Sequence, residues 1–158
     1  MIIDIDVADE RWAPYQRSAD RAARAALAHV GFEEDAVELA IRLSTDKEVQ
    51  QLNKTYRGKD SATNVLSFEA ETPPGALGQL EPRPLGDVIL AFETLESEAN
   101  AQQKSLENHL CHLIVHGVLH LCGHDHDNDE TARQMEKLEV TILNELGIAD
   151  PYLLKEPN

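Results

Sequence analysis

The sequence predicts an α+β protein with a single domain, about five helices and one mixed sheet of about four strands. Short segments in which apolar and polar residues alternate recur along the chain, and longer segments of helical periodicity separate them. Strands and helices follow one another in mixed order, which favours one sheet with helices packed against it. The chain has 158 residues and shows neither repeats nor a linker, so we expect residues 1–158 to form one domain.

The N-terminal half contains three predicted strands and two predicted helices. Period-two alternation predicts strands at residues 2–7 and 37–43, and a short strand at 64–68. The Ala- and Arg-rich segment 14–29 has no helix breaker before Gly31, so it is predicted to be helical. Ser44, Thr45 and Asp46 are possible N-caps, so a second helix is expected to begin there. It is expected to run to about residue 56.

The C-terminal half begins with a predicted loop at residues 72–84, which is rich in Pro and Gly. A strand is expected at 87–92, and helices are expected at 93–104, 105–122 and 131–146. Gly123 and Gly147 follow the last two helices, where a left-handed cap is favourable. The helix at 105–122 is apolar nearly all round, which indicates that it is buried.

Composition limits the classes of function. The net charge of −15 argues against a protein that coats nucleic acid through its whole surface, although it permits a local basic groove. Acids follow the first Met where a signal peptide needs basic residues, and no apolar run approaches the ~20 residues of a membrane span. We therefore expect a cytoplasmic protein without a membrane partner. Cys111 and Cys122 lie in one predicted helix, roughly 16 Å apart, which is too far for a disulfide.

The strongest functional signal is a cluster of histidines. Six of the seven histidines fall between His109 and His126. In the predicted helix His109, His112, His116 and His120 project within a sector of roughly 80°. His116 and His120 are separated by four residues, so both imidazoles can reach one ion from the same side.

A third ligand is expected from the turn after Gly123. His126 is the preferred candidate, and His124 is its competitor. Three neutral nitrogen ligands with one position open to water are typical of a catalytic zinc site, so we predict one Zn²⁺ ion. A structural zinc site would usually include thiolates, but Cys111 and Cys122 point away from the face that carries His116 and His120.

The structural alternative is that these histidines are core residues with ordinary hydrogen bonds, and His29 is interpreted in this way. Several imidazoles on one face of a buried helix are costly without partners, which favours a metal or a polar cavity. For His112 a supporting role beside the site and a core role remain equally open. The residue after His116 is Gly117, where zinc peptidases of the His-Glu-x-x-His type have their general base.

The segment from His116 to His126 (HGVLHLCGHDH) closely resembles the signature of the YbeY family of bacterial rRNA-maturation endoribonucleases. Residues 56–68 (YRGKDSATNVLSF) and 85–89 (LGDVI) are similar to two further blocks of that family, in the same order. Two positions depart from the family pattern. His124 replaces a common aromatic residue, and Glu69 replaces a common proline.

The resemblance implies that His116, His120 and His126 bind the metal, on a central helix that packs near a four-stranded sheet. It also implies a single-strand-specific, metal-dependent endoribonuclease acting in 16S rRNA 3′-end maturation and ribosome quality control. The expected partners are the 16S rRNA precursor and the small ribosomal subunit or its assembly factors, rather than DNA or a membrane.

Arg57 is the predicted catalytic residue outside the histidine cluster. Cations concentrate in this acidic chain at Arg42, Lys47, Lys54, Arg57 and Lys59. For Lys47 and Lys54 we favour an ordinary solvated role. Arg57 belongs to a family block in a predicted loop, where it would hold the non-bridging phosphate oxygens while water activated by the ion attacks. The alternative is an ion pair with an acid such as Asp60 that steadies the loop.

Two other questions stay open at the level of sequence. Asp125 or Asp127 would orient ligand histidines, or would be ordinary turn residues. The rival functions are a zinc metallopeptidase or other amide hydrolase, and a non-catalytic ribosome-assembly factor in which the metal only staples the helix to the turn. Metal removal would unfold a stapled domain, whereas it would leave a catalytic domain folded and inactive.

Overall fold

The computed structural model describes residues 2–33, 35–71, 82–125 and 127–153. The strands in these ranges are β1 (Ile2–Val7), β2 (Val37–Ser44), β3 (Val65–Glu69) and β4 (Arg83–Ala91). The α-helices are α1 (Gln16–Val30), α2 (Asp46–Arg57), α3 (Phe92–Ala101), α4 (Leu106–Leu121) and α5 (Asp129–Glu145), and a 3₁₀ turn at Glu10–Tyr15 precedes α1. The predicted α+β class is confirmed.

The four strands form one mixed sheet in the order β1-β2-β4-β3. The β1–β2 and β2–β4 pairs are parallel, with Ile5 opposite Ile41 and Ile41 opposite Val88. The β3–β4 pair is antiparallel, with Val65 opposite Leu90. This order places β3 at the edge of the sheet, beside α4.

The two faces of the sheet bury different helices, because successive side chains on a strand point to opposite faces. Val88 and Leu90 belong to the main core with residues of α1, α4 and α5. Ile89, between them, packs on the other face with Val49 of α2 and Leu66 of β3. The helix α4 is thus buried under one face, and α2 covers part of the other.

Several predicted boundaries were wrong by two residues or more, and two of them have a clear structural reason. The first helix begins at Gln16 rather than Pro14, because the preceding 3₁₀ turn buries Trp12, whose Nε1 donates to Ser44 O at 2.8 Å. The strand β4 begins at Arg83 rather than Asp87, so Pro84 is in the ladder and not in a loop. Pro84 has no N–H to donate, and the ladder shifts register at Glu38, its partner. Of the predicted loop, residues 72–81 lie outside the described residues.

Local sequence explains the ends of the helices that carry the site. Thr45 caps α2 and Ser105 caps α4 by accepting backbone N–H bonds. Beyond α4, Gly123 has the left-handed conformation, with φ of 95°. Within the described ranges, no helix combines the length and apolarity needed to cross a membrane.

Candidate active site

His116 and His120 converge on α4, at the base of a pocket. Their Nε2 atoms are 3.1 Å apart, and the two rings meet edge to face. Both residues are half-buried, and both line a cavity of about 650 Å³ between α4 and β3. The predicted pairing of two imidazoles four residues apart is therefore present in the geometry.

A buried carboxylate on α5 orients His116 from behind. Glu139, with only 1% of its surface exposed, has Oε1 at 3.1 Å from His116 Nδ1 and 2.9 Å from His112 Nε2. Its Oε2 accepts a hydrogen bond of 2.8 Å from the Tyr152 hydroxyl. An ionised carboxylate can only accept hydrogen bonds, so the contact of Glu139 with His116 assigns the ring proton of His116 to Nδ1. The lone pair of His116 Nε2 is then directed into the pocket.

The electrostatics of Glu139 are consistent with this assignment. Burial opposes ionisation of the carboxyl, but the hydrogen bonds from His112 and His116 outweigh burial and lower its pKa to about 2. Burial and the nearby Glu139 carboxylate raise the pKa of Tyr152 far above its usual range, so the hydroxyl stays a donor. The buried acid is therefore a permanent acceptor for the ring behind the pocket.

Sequence reasoning missed both Glu139 and Tyr152. It had offered Asp125 or Asp127 as the acids that orient ligand histidines. In the structure Asp125 Oδ1 accepts the backbone N–H of Asp127 at 3.3 Å, which is a turn contact, and Glu139 is the acid on His116. A signal was present in the sequence, since Glu139 interrupts the apolar stripe of α5 between Met135 and Ile142.

Two further histidines of α4, His112 and His109, each contact a carboxylate. His112 touches Glu139 and Tyr152, so it supports the carboxylate that orients His116. His109 is buried one turn earlier, and its Nε2 is 2.9 Å from Glu98 Oε1. Burial lowers the pKa of His109, and the bond to Glu98 only partly offsets that effect. His109 thus has a partner of its own, away from the His116–His120 pair.

Gly117 is a contact point between α4 and the sheet. A Cβ at this position would meet Val88 Cγ1 at 2.9 Å and Ser67 Oγ at 3.1 Å. The Ser67 hydroxyl also donates to Gly117 O at 3.3 Å. The residue after His116 therefore faces the sheet, with no room for a side chain, and a glutamate base in that position is sterically excluded.

Arg57 also lines the pocket. It is the last residue of α2, and not a loop residue as predicted, and its Nη2 donates to Ser67 O at 2.8 Å. Its guanidinium carbon is 5.4 Å from the centre of the Phe68 ring. The alternative partner, Asp60, instead accepts from Gln50 at 3.0 Å and lies 3.9 Å from Lys54 Nζ.

The structure thus brings three of the four predicted site residues to one pocket, namely Arg57, His116 and His120. The fourth, His126, lies outside the described residues. Within the described ranges, no three His, Cys, Asp or Glu side chains form a group able to hold a metal ion. Cys111 and Cys122 are both free thiols, and burial raises the pKa of Cys111 to about 11.

Comparison with known proteins gives the family. Residues 4–147 match the sequence model described as Endoribonuclease YbeY. Proteins named Endoribonuclease YbeY are 48% identical in Azorhizobium caulinodans, over 98% of both chains, and 48% identical in Paramagnetospirillum magneticum, over 95% of this chain and 94% of the relative. The solution structure of TM1509 from Thermotoga maritima has the same fold, with a TM-score of 0.58 and 19% identity over 99% of each chain.

The fold and these relatives first define a class, the endoribonucleases, which hydrolyse phosphodiester bonds. Within that class, the chain belongs to the YbeY family. The predicted hydrolase activity and the resemblance based on the histidine motif are both confirmed at this level.

Proposed function

We propose that the chain is a single-strand-specific endoribonuclease that depends on a Zn²⁺ ion held by His116, His120 and His126. It acts in the cytoplasm on the 3′ end of the 16S rRNA precursor and in ribosome quality control, with the small ribosomal subunit or its assembly factors as partners. The observation that carries the proposal is the pair of imidazole nitrogens in a pocket that Arg57 also lines.

The residues present fit a zinc ion. Two nitrogens at about 2.0–2.1 Å from a tetrahedral zinc lie about 3.3 Å from each other, close to the 3.1 Å between the two Nε2 atoms. Glu139 fixes His116 in the tautomer that a ligand needs, as carboxylates do behind metal-bound histidines. His126 follows Gly123 by three residues and supplies the third nitrogen in this proposal.

The ion, when bound, supplies Lewis-acid activation of water and of the phosphate. Arg57 binds the non-bridging oxygens of the scissile phosphate through donors that it does not use on Ser67 O. The contacts with Ser67 and Phe68 hold the guanidinium in place before the substrate arrives. This preorganisation allows Arg57 to stabilise the charge that grows on the phosphate oxygens.

Gly117 argues against the peptidase alternative. A Glu at this position acts as general base in the His-Glu-x-x-His peptidases, and packing against Val88 and Ser67 leaves no space for one. A phosphodiester substrate agrees better with the guanidinium on the pocket wall, because arginine matches phosphate geometry with two parallel hydrogen bonds.

The experiment compares the zinc-loaded wild type with Arg57→Ala and Arg57→Lys on a single-stranded RNA that carries the small-subunit 3′ end. Arg57→Ala should retain its metal and its melting temperature, while the cleavage rate falls ~10²-fold or more, the usual scale for one preorganised donor. Arg57→Lys should restore part of the rate, because a point charge cannot make the two-pronged contact.

The matched control is Lys54→Ala, which removes one positive charge from the exposed side of the same helix. It should change cleavage little. A wild type that does not cleave RNA would contradict the proposed function. Unchanged cleavage by Arg57→Ala would remove Arg57 from the site.

A further inference from the structure

An exposed aromatic ring lies next to a residue that lines the pocket. Tyr56 has 69% of its surface exposed, an unusual value for a large side chain on a packed helix. Its ring meets that of Phe68 edge to face, with the centroids 5.6 Å apart and the planes at 63°. Phe68 in turn lines the pocket.

Helical geometry indicates that Tyr56 is on the buried side of α2. The residues of α2 that face the sheet are Val49 and Asn53. Tyr56 follows them by seven and three positions, which places it within about 20–60° of both around the helix axis. This side of α2 therefore continues beyond the part of the sheet that covers it, and the Tyr56 ring is largely exposed although it contacts Phe68.

The position of Tyr56 relative to the pocket suggests what would cover the ring. The next residue is Arg57, whose guanidinium lies over the same Phe68 ring and lines the pocket. Because Arg57 and Tyr56 both contact the Phe68 ring, an RNA strand with one phosphate on Arg57 would pass close to the Tyr56 ring. Unpaired bases stack on aromatic side chains with little dependence on sequence. A base in a duplex would first have to be unpaired and unstacked, which costs free energy.

We propose that Tyr56, supported by Phe68, is a stacking platform for one unpaired base next to the scissile phosphate. This inference rests on the proposed ribonuclease function and extends it, because the platform gives the site its preference for single-stranded RNA.

The test measures binding of single-stranded RNA to metal-loaded protein. The bridging ester oxygen of the scissile linkage is replaced by CH2, so that water cannot cleave the strand while the phosphate keeps its charge. Tyr56→Ala should weaken binding by ~5- to 150-fold, the equivalent of ~1–3 kcal/mol per stacked base. Tyr56→Phe should bind like the wild type, because it retains the ring. Metal content and melting temperature should stay unchanged in both variants.

The matched control is Ile2→Ala, which removes another exposed apolar side chain, 50% accessible, from the opposite edge of the sheet. It should leave RNA binding unchanged. A platform also predicts a position-specific effect. Removing one base of the RNA at the position that stacks should weaken binding to the wild type, and the same abasic strand should bind Tyr56→Ala no worse than the intact strand does.

Equal affinity of Tyr56→Ala and the wild type for intact RNA, or equal sensitivity of both to every abasic position, would overturn the platform. These results are separate from a failure of the nuclease proposal. If the wild type cleaves RNA but Tyr56→Ala binds RNA as tightly as the wild type does, only the platform is overturned. A wild type that binds RNA through Tyr56 but never cleaves it supports the platform and contradicts the nuclease.

Discussion

Glu139 is the residue on which the orientation of His116 depends most. It holds His116 and His112 through one oxygen and Tyr152 through the other. A carboxylate in this position raises the basicity of the imidazole and fixes the orientation of its ring. Removing the carboxylate should therefore lower the affinity of the site for the metal.

Glu139→Gln should therefore weaken Zn²⁺ binding by roughly 10- to 100-fold, the usual effect of changing a group behind a metal ligand. The substitution retains the volume and one acceptor oxygen but removes the charge. Competition with a chelator of known affinity measures the effect. Glu136→Gln, on the exposed side of α5, is the control and should bind zinc like the wild type. Equal affinity in the two variants would show that Glu139 serves packing alone.

At the scale of elements, the site depends on how closely α4 approaches the sheet. Gly117 makes that approach possible, because β3 and β4 occupy the space where its side chain would be. The same contact places His116, one residue earlier, in the wall of the pocket beside β3.

Gly117→Ala should lower the free energy of unfolding by about 1 kcal/mol. Overpacking against Val88 costs about 1–3 kcal/mol, and the better helix propensity of Ala offsets about 1 kcal/mol of that cost. Denaturant unfolding of the metal-free protein measures the difference. Asn108→Ala, at an exposed position of α4, should stay within about 0.5 kcal/mol of the wild type. An unchanged or higher stability of Gly117→Ala would contradict tight packing at this contact.

The elements differ in how well the sequence predicted them. Helix α4 was predicted to within one residue at each end, because Ser105 and Gly123 are strong local signals. The start of β4 was missed, because Pro and Gly at positions 82–86 resemble a loop. Pairing with β2 overrides that local preference, as tertiary contacts often do.

At the scale of the whole molecule, contacts between residues far apart in the sequence could not be predicted. His116 and His120 are four residues apart, so helical periodicity alone predicts that they meet. The partner of His112 is 27 residues away on another helix, and no local pattern joins the two. For this reason the role of His112 stayed open until α5 was seen to pack against α4.

The charge distribution shows the same limit. Five cations between residues 42 and 59 suggested a local basic field in a chain of net charge −15. Arg42 instead pairs with Asp6 and Glu48, and Lys54 lies beside Asp60. Arg57, which lines the pocket, is bonded to a backbone carbonyl and leaves other donors for substrate. Pairing in three dimensions therefore decides which cations remain available to a phosphate.

The central claim is that the histidine pair binds the metal on which RNA cleavage depends. The most direct test measures metal content, RNA cleavage and melting temperature of His120→Ala beside His29→Ala, a histidine change outside the pocket. His120→Ala should lose metal and cleavage together, while His29→Ala retains both. The apolar core around α4 should keep metal-free protein folded, so chelation should abolish cleavage without unfolding. Stoichiometric metal in His120→Ala, or unfolding of the wild type on chelation, would contradict the account.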